Sequence, residues 1–438
     1  MKNISGKWPL VILLLLGVFI LFGPYNDSMV SALDKGIYKD VKTFNEVLDM
    51  VKKNYVDEVD TQTLIRGAIN GMIKSLDPHS AFMTPDLYKE LEVETQGRFG
   101  GIGIEITLLK DILTVVSPIE DTPAFNAGVK SGDQIIKIDG KSTKDISIME
   151  AVKKLRGPKD TKVTITIMRE NMTKPKDIEL TRAIIQVKSV KTKNFDDNIG
   201  YIRIASFHER TADDVRKALK EVVEKQHPLK GLVLDLRNDP GGLLIQAIEV
   251  SDMFLKSGMI VSTRGRTKNM ETKAMARDNG NEITCPMVVL VNEGTASAAE
   301  IVAGALQDNG RALIVGTQTF GKASVQTVIP LEDGSALKLT TARYYTPKGR
   351  SIQAEGIKPD IVIKYVRPVE EADNGWDERI RERDLKGHIK PAKEDGTKLE
   401  EPQTKEIKDS FDLTKDNQLK TAIDILKSWD IMKKNLNS

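Results

Sequence analysis

One cysteine, four histidines and a net charge of +2 are all that this 438-residue chain offers to several common chemistries. The single cysteine, Cys285, excludes an intramolecular disulfide and any metal site built from several thiolates. It stands just before the apolar run Met287–Val291, where a buried, inert thiol is expected. With 65 basic against 63 acidic residues, no global positive field exists to gather phosphates, so nucleic acid is not an expected partner. Long apolar runs are scarce too. The N-terminal one, Leu10–Phe22, follows Lys2 and Lys7 and ends at Gly23-Pro24. It is short for a membrane span and matches the core of a signal peptide, and Val30-Ser31-Ala32 supplies small residues for cleavage. Residues 1–32 are therefore expected to be a signal peptide, or a short anchor spanning residues 8–24. The rest of the chain is expected to work exported, on the periplasmic or extracytoplasmic face of the membrane. ATP is scarce there, which disfavours kinases and ATP-driven machines.

Length alone suggests about three domains, and the composition shifts along the chain agree. Residues 33–95 read as helical: Val41, Phe44, Val47, Leu48 and Val51 recur at helical spacing, and a second helix starts at Asp60 or Thr61 and stops at SLDPHS. His79 and Asp77 in that phrase read as turn residues. Residues 96–175 suit a small mixed domain, with a helix at Ile148–Leu155 and an alternating strand at Val163–Ile167. From 176 to 365 the pattern is α/β: Leu232–Leu236 and Met287–Val291 are nearly continuous apolar runs, as in strands buried on both faces. Residues 366–438 read as a charged, loose linker, surface-lying or partly disordered, ending in an amphipathic helix, Leu419–Met432, with Ala422, Ile423, Ile425 and Leu426 on its apolar face.

The segment GTASAAEI (294–301) follows the strand Met287–Val291 and puts Ser297 at the start of a helix. Ser297 and Glu300 fit the pattern of a capping box. A serine in that place also has backbone N–H groups pointing toward it, which suits a nucleophile whose attack creates an oxyanion. No histidine (His79, His208, His227, His388) has a setting that would serve it as a base. The remaining candidate is a lysine kept neutral by burial. Lys322, in GTQTFGKASVQTVIP, opens an apolar strand-like segment where Lys322, Ser324 and Gln326 would share a face. DLRNDPGGLL (235–244) places a Pro-Gly-Gly turn between a strand and a helix, where Gly241 or Gly242 can aim an N–H at a carbonyl oxygen.

Taken in order, LIRGAINGMIKSLDPHS, LVLDLRNDPGGLL, NEGTASAAEIVAGAL, GTQTFGKASVQ and YYTPKGRSIQAEGIKPDI resemble the carboxy-terminal processing peptidases, or tail-specific proteases, over about residues 40–365. The resemblance implies a serine peptidase with a helical N-terminal region, a PDZ-like β/α domain and a crotonase-like α/β core. It implies a dyad of Ser297 and Lys322 with Gln326 as orienting residue, an oxyanion site from Ala298 with Gly241 or Gly242, and no metal or other cofactor. It also implies a PDZ carboxylate-binding loop at Gly101, Ile102, Gly103 and Ile104, which would receive protein or peptide tails as an added strand. Asp239 departs from the asparagine common in the family, and Ala299 from a frequent serine. Arg156, closing the helix Ile148–Leu155, is a candidate to report tail binding to the core. The helical ends suggest a homodimer, and the chain is expected close to a membrane. Two other readings stay open at this point: a decayed protease acting as a PDZ-based binding scaffold, and a PDZ-bearing protease of trypsin-like type. The joint presence of serine, lysine and glutamine speaks against the first. The lack of a Gly-Asn-Ser-Gly-Gly segment and of a placed histidine speaks against the second.

Overall fold

The computed structural model describes residues 30–109, 111–169, 172–267, 271–280, 283–366, 381–384, 388–389, 413 and 416–436. The expected export segment Leu10–Phe22 lies outside the described residues, and no helix among those described is long and apolar enough to cross a membrane. The described residues fall into two compact units that divide between Met72 and Ile73. In the first, the helix Val30–Asn54 leaves Tyr38, Val41, Phe44 and Val47 exposed. Its second helix, Thr61–Lys74, starts where the carboxylate of Asp60 accepts the Thr63 N–H (2.8 Å) and hydroxyl (2.9 Å).

The second unit is organised by a six-stranded sheet in the order Val190–Phe195, Ile199–Ile204, Gly231–Asp235, Met287–Val291, Leu313–Gly316, Ile361–Val362. Only the first pair is antiparallel. The apolar runs are buried on both faces, and their alternation can be followed residue by residue. Leu232, Leu234, Met287, Val289 and Val291 pack into one core with the helices Thr211–Lys225, Leu244–Asp252 and Ala298–Asp308. Val233, Val288, Leu290 and Val315 point the other way, onto Leu419, Ala422, Ile423 and Leu426. A five-stranded antiparallel sheet lies beside this, built on the long strand Ala336–Tyr345, which pairs with Ala81–Met83, Met259–Gly265 and Ser324–Pro330, while Thr272–Met275 adds to Met259–Gly265.

The small domain expected to be PDZ-like carries its own sheet of Ile104–Leu109, Ile112–Pro118, Gln134–Ile138, Lys162–Met168 and Lys176–Thr181, with Lys141–Ser142 paired to Gln134–Ile138. Because Lys176–Thr181 pairs along Lys162–Met168, the expected boundary at 175 cuts a sheet, and the domain extends to Thr181. A two-stranded ribbon, Arg98–Gly101 with Ala183–Gln186, forms its stalk.

Two expectations for residues 366–438 are corrected. The helix Asn417–Leu436 is no free dimerisation element, because the apolar face of its first turns is spent on its own sheet. Nor is the linker uniformly surface-lying: Glu382, in the single turn Glu382–Asp384, is completely buried. The terminal helix is also fastened by charge. The guanidinium of Arg237, 2% exposed, donates to both oxygens of Asp416 (3.0 and 2.8 Å) and to Gln418 (3.0 Å) while its other edge meets Asp235. Removing one partner from a buried pair leaves an undercompensated charge. Asp416→Ala is therefore expected to lower unfolding free energy by roughly 3 kcal/mol, measured by urea denaturation.

Candidate active site

Three adjacent parallel strands, Gly231–Asp235, Met287–Val291 and Leu313–Gly316, end on the same side, and the loops beyond them meet. Crevices at the carboxyl ends of parallel strands are where such sheets hold their sites. The first two loops are laced together by Asn292, whose side chain accepts the Asn238 N–H (2.8 Å) and donates to the Asn238 side chain (2.8 Å). Thr295 adds a hydroxyl bond to the Leu236 carbonyl (2.8 Å), and the Ala296 N–H donates to the Asp239 carbonyl (2.9 Å). Phe320 of the third loop donates its N–H to the Thr295 carbonyl (3.0 Å).

Ser297 sits half-buried on the strand-to-helix turn with φ 52° and ψ −114°, a backbone conformation strained for any residue with a Cβ. The strain persists because its surroundings hold it. Glu300, fully buried one turn on, accepts the Ser297 N–H at 2.9 Å through Oε2, completing the capping relation read from sequence. The same oxygen accepts the Lys322 N–H at 2.9 Å, while Oε1 takes the Gly321 N–H at 2.8 Å and the Thr319 hydroxyl. The hydroxyl of Tyr344, 2% exposed, lies 3.1 Å from the Ser297 carbonyl oxygen and also against that of Lys322. Ser297 and Lys322, 25 positions apart, are thus held through two shared partners. Their side chains are not hydrogen-bonded to each other among the described residues; contacts of this kind tighten when substrate fills a site.

Burial holds the Lys322 amine below its ordinary range, and the Lys338 charge adds to this, while Glu382, Glu300 and Asp77 act the other way. Gln326 does share a face with Ser324, but its amide donates to Ser324 Oγ (2.9 Å) and Thr340 Oγ1 (3.2 Å) rather than to the amine. The strand begins at Ser324 and bulges between Val325 and Gln326, so Lys322 belongs to the preceding loop and not to a regular strand face.

The Pro-Gly-Gly turn abuts Ser297. A Cβ on Gly241 (φ 96°) would lie 2.8 Å from both Ser297 Cβ and Ala298 N, and one on Gly242 (φ 144°) would lie 2.1 Å from the Phe207 carbonyl oxygen. Glycine is needed at both. The Gly241 N–H donates to Asp239 Oδ1 (2.8 Å), which leaves Gly242 and Ala298 as the N–H groups without an acceptor among the described residues. Asp239 is completely buried, its other oxygen has no partner, and burial pushes its carboxyl well up. Among the described residues no group of three or more His, Cys, Asp or Glu side chains is arranged to hold a metal ion.

In the PDZ domain, Gly103 (φ 77°) packs so closely on Thr122 that a Cβ would lie 2.3 Å from its side chain. Gly101, Ile102 and Ile104 join Ile106, Val152 and Leu155 in lining a groove between the strand Ile104–Leu109 and the helix Ile148–Leu155. Arg156 closes this groove with its guanidinium 4.5 Å above the ring of Phe99, on the stalk ribbon. Glu300 was legible only as a helix cap; Tyr344 and Gln353, whose side-chain oxygen accepts the Ala323 N–H beside Lys322, carry no local signal, since a sheet partner and a loop deliver them. Cys285 is part-buried and its thiol is pushed up to about 11 by burial, as expected of an inert cysteine.

Residues 198–363 match Peptidase family S41, residues 100–180 a PDZ domain, and residues 26–86 the activating protease CtpB N-terminal domain. A carboxy-terminal-processing protease of Bartonella bacilliformis is 48% identical over 369 residues, 84% of each chain. The carboxy-terminal processing protease CtpA of Bacillus subtilis is 40% identical over 318 residues, covering 72% of this chain and 67% of that one. Among solved structures, a photosystem II D1 C-terminal processing protease is 30% identical with a TM-score of 0.44, covering 73% of this chain and 92% of its own. The helical N-terminal region, the PDZ domain and the α/β peptidase core stand in the expected order, and the chain belongs to the carboxy-terminal processing proteases of peptidase family S41.

Proposed function

We propose that this serine protease takes the C-terminal tails of exported proteins into its PDZ groove and cleaves them by acyl transfer between Ser297 and Lys322. The observation that carries the reading is the shared grip of Glu300 and Tyr344 on the backbones of both residues, which couples a strained serine to a buried amine. Neutral Lys322 takes the Ser297 hydroxyl proton as Oγ attacks the peptide carbonyl. The N–H groups of Ala298 and Gly242 receive the oxyanion. The C–N bond then breaks, the leaving amine takes the proton back from Lys322, and an ester remains on Ser297. Water attacks the ester and gives its proton to Lys322; collapse releases the new C-terminus and restores the serine hydroxyl. Gln326 supports this from the neighbouring strand by fixing Ser324 and Thr340.

The PDZ role rests on the loop Gly101–Ile104 beside an apolar groove, suited to a terminal carboxylate and an apolar last side chain. Arg156, stacked on the stalk, is placed to sense an occupied groove. Amidating the C-terminus of an unstructured peptide substrate is expected to lower kcat/KM by roughly tenfold or more, with most of the loss in KM. A separate tail peptide is expected to stimulate turnover, and Arg156→Ala to remove that stimulation. Equal turnover of the free-acid and amidated peptides counts against PDZ delivery. Export rests on Leu10–Phe22 and its flanks, and is tested by fractionating cells that express the full chain.

A further inference from the structure

The buried Glu382 belongs to a segment that the peptidase match, ending at residue 363, does not include. Its Oε2 lies 2.6 Å from His79 Nε2, in the SLDPHS turn, and its Oε1 accepts from the Gln353 amide at 2.9 Å. Gln353 is itself completely buried, and its oxygen accepts the Ala323 N–H at 2.9 Å. Next along the chain, Lys322 and Gly321 give their N–H groups to Glu300. Three consecutive N–H groups around the lysine are therefore gripped by two buried side chains, and one of those is held in turn by Glu382. A carboxylate brought fully out of water needs a reason, since an apolar side chain would cost less there.

We propose that Glu382 is a positioning residue for Lys322: clamped between His79 and Gln353, its carboxylate fixes the Gly321–Ala323 loop and sets the electrostatic field at the amine. The inference rests on the reading of Lys322 as the base. The charged and titratable groups around the amine are Lys338 on the long strand, Glu300 on the nucleophile helix, Asp77 on the turn and Glu382 itself. Around Glu382 they are His79, Lys322 and Tyr344. Asp77 already accepts from His79 N–H, Ser80 N–H and both the Ser80 and Thr340 hydroxyls. Glu382 is thus the acid here that arrives on a separate segment and reaches the lysine loop through one intermediary. Its negative charge favours the protonated amine, so clamp and charge act on the base in separable ways.

Two variants in the full-length protein separate them. Glu382→Gln keeps shape and one acceptor but removes the charge. Glu382→Asp keeps the charge but shortens the reach to Gln353. In Glu382→Gln, the pH at which Lys322 loses its proton is expected to move down. It is followed by NMR titration of lysine labelled with 13C at Cε, with the Lys322 signal assigned by its loss in Lys322→Ala. Below the acid limb, kcat/KM is expected to rise roughly three- to tenfold. In Glu382→Asp the titration stays in place and kcat drops roughly tenfold with KM little changed. Thermal unfolding by circular dichroism accompanies each variant. A Lys322 titration that does not move in Glu382→Gln overturns the proposal. Turnover retained by Lys322→Ala removes the base reading, and this inference with it. A dead Lys322→Ala beside an unmoved titration sinks this inference alone.

Discussion

Lys322→Ala is expected to lower kcat on an unstructured C-terminal peptide by about a thousandfold or more, and Ser297→Ala by at least as much. The size follows from what each side chain does in the proposed reaction. Without the amine, the serine hydroxyl has no group to take its proton, since among the described residues His79 is engaged by Glu382 and His208 by Ser206, and no histidine is hydrogen-bonded to Ser297. Without the hydroxyl no acyl-enzyme forms. The two losses act on one step, so the double variant is expected to be no worse than the more damaging single one. Both variants keep the fold, because the Ser297 and Lys322 contacts described above are made by backbone atoms. In the wild-type protein, activity is expected to rise with pH as Lys322 loses its proton, at a pH below the amine's ordinary value of 10.5. Kinetics across pH, together with circular dichroism of the variants, check these points. A Lys322→Ala protein that is folded and turns over at near wild-type rate removes lysine from the mechanism.

Much of this site was legible because its parts sit in segments with strong local patterns. Met287–Val291 had to be a doubly buried strand, GTASAAEI a helix start, and the Pro-Gly-Gly turn a close approach of backbone; each is found as such. Sequence pattern does not state which loops become neighbours. That is set by strand order, which puts Met287–Val291 between Gly231–Asp235 and Leu313–Gly316. The grip of Glu300 on both loops follows from that order, and that of Tyr344 from the long strand Ala336–Tyr345 of the other sheet, so Glu300 read as a cap and Tyr344 did not stand out. Gln326 shares its expected face with Ser324 and bonds it there, whereas Lys322 falls one step outside that pattern, in the loop before the strand Ser324–Pro330. The charged linker was misread by composition. Its average is polar, yet Glu382 is buried because partners from two distant segments, His79 and Gln353, satisfy it.

Glu300 carries the second large effect. Its carboxylate receives three backbone N–H groups and the Thr319 hydroxyl with no exposure to water. Glu300→Ala strands four donors, two buried and two part-buried, at about 1–3 kcal/mol each. Even at the low end that is about 4 kcal/mol, against a total stability on the order of 5–15 kcal/mol. Urea denaturation is expected to show this loss, together with inactivity. Glu300→Gln is the sharper probe. A glutamine has one acceptor oxygen, so it can serve the Ser297 and Lys322 pair or the Gly321 and Thr319 pair, while its NH2 faces at least one backbone N–H of the other pair donor to donor. The fold survives and kcat falls by about a hundredfold, as one of the two loops loses its anchor. The pH dependence of stability changes as well. Burial pushes Glu300 up to about 7 from its ordinary 4.5, against the pull of its donors. Between those values the folded protein holds a proton that the unfolded chain has released, so this group's contribution is complete below pH 4.5 and is lost as pH rises to about 7. In Glu300→Gln that slope is absent, and the stability difference between wild type and variant therefore changes across the same window. A difference that stays flat from pH 4.5 to 7 shows that the four donors outweigh burial and keep Glu300 ionised throughout.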